Sequence, residues 1–90
     1  MAGQTPSFVR STIASGGTPQ QISSSFNNVK KAVFFAPYAN TALVKIGLTG
    51  FSTHYRSLQP GQEIVRENID LSAYYVDGTT SDVLEVEIFT

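Results

Sequence analysis

Ninety residues with six basic and seven acidic side chains give a net charge of −1, which offers no basic field for nucleic acid. The chain has no cysteine, which excludes disulfides and thiolate metal sites, and its single histidine is too few for zinc. No apolar run of about 18 residues could span a membrane, and the N-terminus lacks the basic-then-apolar form of a secretory signal.

A chain of this size makes one domain that buries only roughly 60–65% of its unfolded surface, a thin core that favours reliance on a partner. Its first 26 residues, MAGQTPSFVRSTIASGGTPQQISSSF, are polar and small, and by themselves cannot build a core. Within them residues 8–13, FVRSTI, form a β-branched, partly alternating island followed by Gly16, Gly17, Thr18 and Pro19. Two readings are open. The island is an arm that adds to a neighbour's sheet edge, or it is the first strand of this domain's own sheet.

Residues 30–38, KKAVFFAPY, form the most apolar strand. Val33 and Phe35 share one face and Phe34 and Ala36 the other, so both faces are expected to be covered, and Pro37 marks the strand's end. Asn40 and Thr41 supply turn chemistry before ALVKIGL, where Val44, Ile46 and Leu48 are expected to face inward and Lys45 outward. Gly47 and Gly50 mark a bulge or a close approach of backbone. After the loop or short strand FSTHYRSL, the turn Gln59, Pro60, Gly61, Gln62 leads into the strand EIVRE. Ile69 and Leu71 follow in a link that plugs one end of the core.

The last stretch pairs an aromatic strand, Tyr74, Tyr75 and Val76, with an alternating one. In the latter Leu84, Val86 and Ile88 take the buried face and Glu85 and Glu87 the wet one. Asp77 and Gly78 open the returning loop as in a hairpin, and Gly61 and Gly78 are both expected at positive φ. No sustained spacing of three and four supports a helix longer than a turn. The fold expected is all-β: a small antiparallel β-sandwich or jelly-roll-like domain over residues 20–90. An extended N-terminal arm over residues 1–19, which can include a first strand, precedes it.

Catalytic chemistry is not visible. His54 lies in a polar loop, and the serines stand in no nucleophile-elbow context. Glu85 and Glu87 share a strand face and could serve acid–base work or calcium. A solvated face with a cation on the adjacent strand is the simpler account. Phe34, Phe35, Phe51, Phe89, Tyr38, Tyr55, Tyr74 and Tyr75 are expected mainly as core, with a sugar-binding surface as the alternative. Residues 1–62 hold five basic side chains and no acid, and residues 63–90 hold seven acids against Arg66. Either early and late strands lie side by side and interleave their charges, or the molecule has a basic and an acidic pole.

The succession NTALVKIGLTGF, LQPGQEIV and DLSAYYVDGTTSDVLEVEIFT resembles the small β-sandwich structural proteins of tailed bacteriophage virions. The residues carrying the resemblance are Asn40, Thr41, Val44, Ile46 and Gly47; Leu58, Pro60 and Gly61; and Tyr74, Tyr75, Gly78, Leu84, Val86 and Ile88. It implies a virion component without enzymatic activity or cofactor, foremost a decoration or cement protein on the capsid exterior, made in the host cytoplasm. The implied partners are the major capsid protein and further copies of the chain, as in a trimer, without direct contact to nucleic acid or membrane. A tail, neck or head–tail junction protein, or a carbohydrate-binding host-attachment module, is the alternative. Phe8, Val9, Arg10 and Ile13 of the arm, with Lys30 and Lys31, are the residues expected to contact the partner.

Overall fold

The computed structural model describes residues 6–90. The expectation for the arm therefore lies, for residues 1–5, outside the described residues. Eight strands follow in order: β1 (Ser7–Thr12), β2 (Gln20–Gln21), β3 (Val29–Phe35), β4 (Val44–Leu48), β5 (Arg56–Leu58), β6 (Glu63–Ile69), β7 (Tyr74–Asp77) and β8 (Val83–Phe89). A single 3-10 turn, Leu71–Ala73, precedes β7, its start capped by the Asp70 carboxylate, which accepts from the Ser72 N–H.

The strands make two four-stranded sheets, sheet A in the order β1-β8-β3-β6 and sheet B in the order β2-β7-β4-β5. All neighbours are antiparallel. Apart from the β4–β5 hairpin, each step along the chain crosses from one sheet to the other. Two four-stranded sheets wound in this order are a jelly roll. The expected hairpin between β7 and β8 is therefore corrected. The two strands lie in different sheets, and Gly78 is not among the glycines at positive φ. What position 78 requires is space, because a Cβ there would come within 2.7 Å of Ile13 Cδ1. Gly61, in contrast, has φ +91°, as the Pro60-Gly61 turn demands.

Alternation sorts the side chains. From sheet A, Ile13, Ala32, Phe34, Ala36, Leu84, Val86 and Ile88 are buried, and Val44, Ile46, Leu58 and Val76 meet them from sheet B. Leu71 closes the core beside them. Leu48 departs from its expected face and is 58% exposed at the end of β4. Gly47 is covered by the Phe51 ring, which stands where a Cβ would be. The aromatics are less buried than expected: Phe34 alone among the described ones is fully enclosed, packed on Tyr74 at 5.4 Å between centroids. This core is mainly aliphatic.

From Ser7 onward the expected arm is the edge strand of the domain's own sheet, in register with β8 from Ser7↔Ile88 to Thr12↔Val83. The ladder continues past β1, because Ile13 donates to the Asp82 carbonyl and accepts from the Ser81 N–H, each at 2.9 Å. Gly16 N–H reaches Thr80 Oγ1 at 3.0 Å and Gly17 N–H reaches Asp77 Oδ1 at 2.9 Å, so this glycine pair is tied to the β7–β8 loop.

The same loop grips the β3–β4 connection. Asn40 Nδ2 donates to the Val83 carbonyl at 2.7 Å, and the Val83 N–H returns a bond to Asn40 Oδ1 at 2.8 Å. The Asp82 carboxylate accepts from Thr41 N–H at 3.0 Å, from Thr41 Oγ1 at 3.0 Å and from Ala42 N–H at 3.1 Å. The backbone bond from Thr41 is the leading cause that holds this carboxyl below the ordinary aspartate value of 3.8. Burial opposes it, and the bonds from the Ala42 N–H and the Thr41 hydroxyl reinforce it.

Two outcomes are expected. Val86→Ala should cost about 1–3 kcal/mol in urea unfolding, because it empties core volume, whereas Glu85→Gln should change stability by less than about 0.5 kcal/mol. Asp82→Asn should destabilise by about 1–3 kcal/mol at pH 7, where the wild-type group is ionised and its three donors are satisfied. Because the folded pKa is lowered, this contribution is present above the ordinary aspartate value and is lost as pH falls through the folded one. The gap between wild type and variant should therefore close in acid, as read from unfolding curves recorded from pH 7 downward.

Candidate functional site

The inner face of sheet A is dry, and its outer face is divided into rows by the strand register. The central row runs Phe8, Glu87, Val33, Val65 across β1, β8, β3 and β6. One step along the strands, the row is Arg10, Glu85, Phe35, Glu63. On the other side, Phe89, Lys31 and Glu67 make a third row. Outward β3 residues were expected to be covered. Instead Val33 and Phe35 are half-buried, Val65 is 44% exposed and Phe8 is 69% exposed.

These residues enclose a shallow groove of about 270 Å³ lined by Phe8, Val33, Phe35, Glu63, Glu85 and Glu87. Its floor is apolar and its polar groups are all carboxylates. Within these rows the exposed apolar side chains Phe8 and Val65, with the half-buried Val33 and Phe35, are interrupted by carboxylates, so the face is a mixed apolar and acidic surface.

Cations meet two of the three rows. Arg10 Nη1 lies 3.6 Å from Glu85 Oε2, with both side chains well exposed, so this pair contributes less to stability than to the arrangement of the face. Lys31 Nζ lies 5.2 Å from the centre of the Phe89 ring, opposite Glu67 in the register. The Glu87 carboxylate, in the central row, has neither hydrogen bond nor ion pair among the described residues. Early and late strands thus interleave their charges, as Arg10 beside Glu85 and Lys45 opposite Asp77 also show.

The residues singled out from the sequence separate. Phe8, Arg10 and Lys31 come together on the outer face of sheet A. Val9 points the other way and packs against the core. Ile13 is 1% exposed, so it is corrected from a contact residue to a core residue. Lys30 lines a separate cleft of about 430 Å³ with Asn27, Asn28, Asn68 and Asp70. That cleft is larger, but apart from Val29 and Ile69 its lining is amide, hydroxyl and charge, for which water competes at every contact. Val33, Phe35 and Val65 were not anticipated as surface residues, because nothing in an apolar strand states which of its faces stays wet.

Among the described residues no group of three or more His, Cys, Asp and Glu is placed to hold a metal ion. His54 is exposed, its Nδ1 3.0 Å from Thr53 Oγ1. Among the described residues no helix is long and apolar enough to cross a membrane. No family model matches the chain, and no curated protein matches it.

Burial separates two residues of one short segment into different roles. Phe8→Ser should leave the unfolding free energy from urea titration within about 0.5 kcal/mol of wild type, because the ring is already in water. Ile13→Ala should cost about 2–5 kcal/mol, the range for a truncated core aliphatic.

Proposed function

We propose that this chain is a non-enzymatic structural protein of a tailed-bacteriophage virion, foremost a decoration or cement protein that binds the outside of the major capsid shell. The observation that carries the reading is the outer face of sheet A. A domain this small leaves Phe8, Val33, Phe35 and Val65 in one patch while its remaining charges are interleaved and solvated. Laying another subunit on such a face would bury these apolar side chains. The sequence resemblance supplies the setting, and the jelly-roll order is compatible with it, since that fold serves viral capsids among other functions.

Attachment by a sheet face also suits the role. A ligand that binds only the assembled shell adds its binding free energy to the shell's stability, and repetition over many sites multiplies the effect. Further copies of the chain are natural neighbours in such an array. The groove between Phe8, Phe35 and three glutamates is the feature that favours a carbohydrate-binding attachment module as the second reading, because an aromatic ring beside hydrogen-bond acceptors can hold a sugar.

Quantitative protein analysis of purified particles tests the assignment. A copy number comparable to that of the major capsid protein is expected, with particles lacking this protein releasing their DNA at lower temperature and recovering when it is added back. A few copies per particle would move the protein to the tail or neck. Absence from particles would end the structural reading.

A further inference from the structure

The central row of the outer face of sheet A lacks the cation that its neighbours have. Arg10 serves Glu85 in the row on one side, and Lys31 lies over Phe89 in the row on the other. Between them Glu87 stands with Phe8 on one flank and Val33 on the other, on the groove that Glu63 and Glu85 also rim. Neither the Glu63 nor the Glu87 carboxylate has a hydrogen bond or ion pair among the described residues. A carboxylate in an apolar row disfavours a purely apolar visitor, which would strip its water without replacing the lost bonds. A second copy laid face to face would bring glutamates against glutamates.

We propose that this groove docks an apolar, extended segment of a partner protein that carries an arginine or lysine, whose charged head meets Glu87 and whose aliphatic stem lies on Phe8, Val33 and Phe35. The face already shows the chemistry with its own residues, in Arg10 on Glu85 and Lys31 on an aromatic ring. A partner cation at Glu87 repeats it in the row where the described residues supply none. Arginine and lysine fit because each joins an apolar stem to a charged head, matching an apolar floor with an acidic rim. Desolvation by the surrounding apolar contacts strengthens such a charge pair and gives it direction, so Glu87 selects the partner while Phe8 anchors it. The inference takes from the proposed function only that this face is an attachment surface, and it names what attaches.

The probes are short synthetic peptides whose alternate, same-face positions read valine–arginine–valine, valine–glutamate–valine or serine–arginine–serine, with serine at the intervening positions, titrated into the full-length isotope-labelled protein. The valine–arginine peptide should shift amide signals around Phe8, Val33, Phe35, Glu85 and Glu87 in a saturable manner. Its affinity should fall about tenfold in Glu87→Gln and in Phe8→Ser, corresponding to about 1.4 kcal/mol, and stay unchanged in His54→Gln, in the exposed β4–β5 loop of the other sheet. Equal binding of the valine–glutamate or serine–arginine peptide would overturn the proposal. So would shifts centred elsewhere, or no binding at all.

Sedimentation with particles separates this inference from the structural role. If wild type and Glu87→Gln pellet equally with particles, the cationic partner is wrong while the virion role stands. If the valine–arginine peptide binds as expected and the protein never joins particles, the groove's chemistry stands and the virion role falls.

Discussion

The two-loop clamp formed by Asn40, Thr41, Ala42, Asp82 and Val83 is the constraint on which this sandwich depends. A jelly roll repeatedly carries its chain from one sheet to the other, and each crossing leaves backbone groups outside the ladders. Here the β3–β4 and β7–β8 crossings answer each other. Asn40 pairs with the Val83 backbone as a neighbouring strand would, and Asp82 collects the donors that Thr41 and Ala42 would otherwise leave unmet. Ile13 enters the same junction through its backbone and fills the space that Gly78 leaves free. Without cysteine, this polar junction is where three distant parts of the chain are held in register.

Holding that junction has a consequence at the surface. Once Ile13 is fixed, β1 must run along β8, and the alternation of its side chains sends Val9 and Ser11 inward and Phe8 and Arg10 outward. The exposed phenylalanine is thus set by an interaction at the other end of the strand. The opposite edge of the sheet is managed differently. On β6, Glu63 and Glu67 stand exposed and Asn68 has φ +54°, so charge and a local distortion discourage an added strand there. Edge protection is therefore uneven, and the groove reaches from Phe8 on one edge strand to Glu63 on the other.

Charge arrangement follows from topology as well. The chain is basic early and acidic late, which in another fold would make two poles. Because the first strand and β3 both flank the last one, the basic residues of β1 and β3 fall beside the acidic residues of β8 and β6. Most of the field cancels locally. Glu87 stands out against this background because the rows on both sides of it contain a cation.

The sequence by itself determined what depends on near neighbours along the chain. The alternation of Leu84, Glu85, Val86, Glu87 and Ile88 states a strand with one dry face. Pro60 and Gly61 state a turn with positive φ, and the absence of helical spacing states an all-β domain. Tertiary structure decided which strands share a sheet. Asp77 and Gly78 read as a hairpin turn, yet the loop crosses to the other sheet, because turn chemistry sets a local reversal and not the partner a strand will meet. It also decided which face of β3 is wet and that Leu48 lies outside the core. Both depend on where the second sheet lies, which no local pattern encodes. The groove was the least legible feature. Phe8 and Glu87 lie near opposite ends of the chain and meet only through the β1–β8 register, and that register exists because pairing the first and last strands buries Ile13, Leu84, Val86 and Ile88 together.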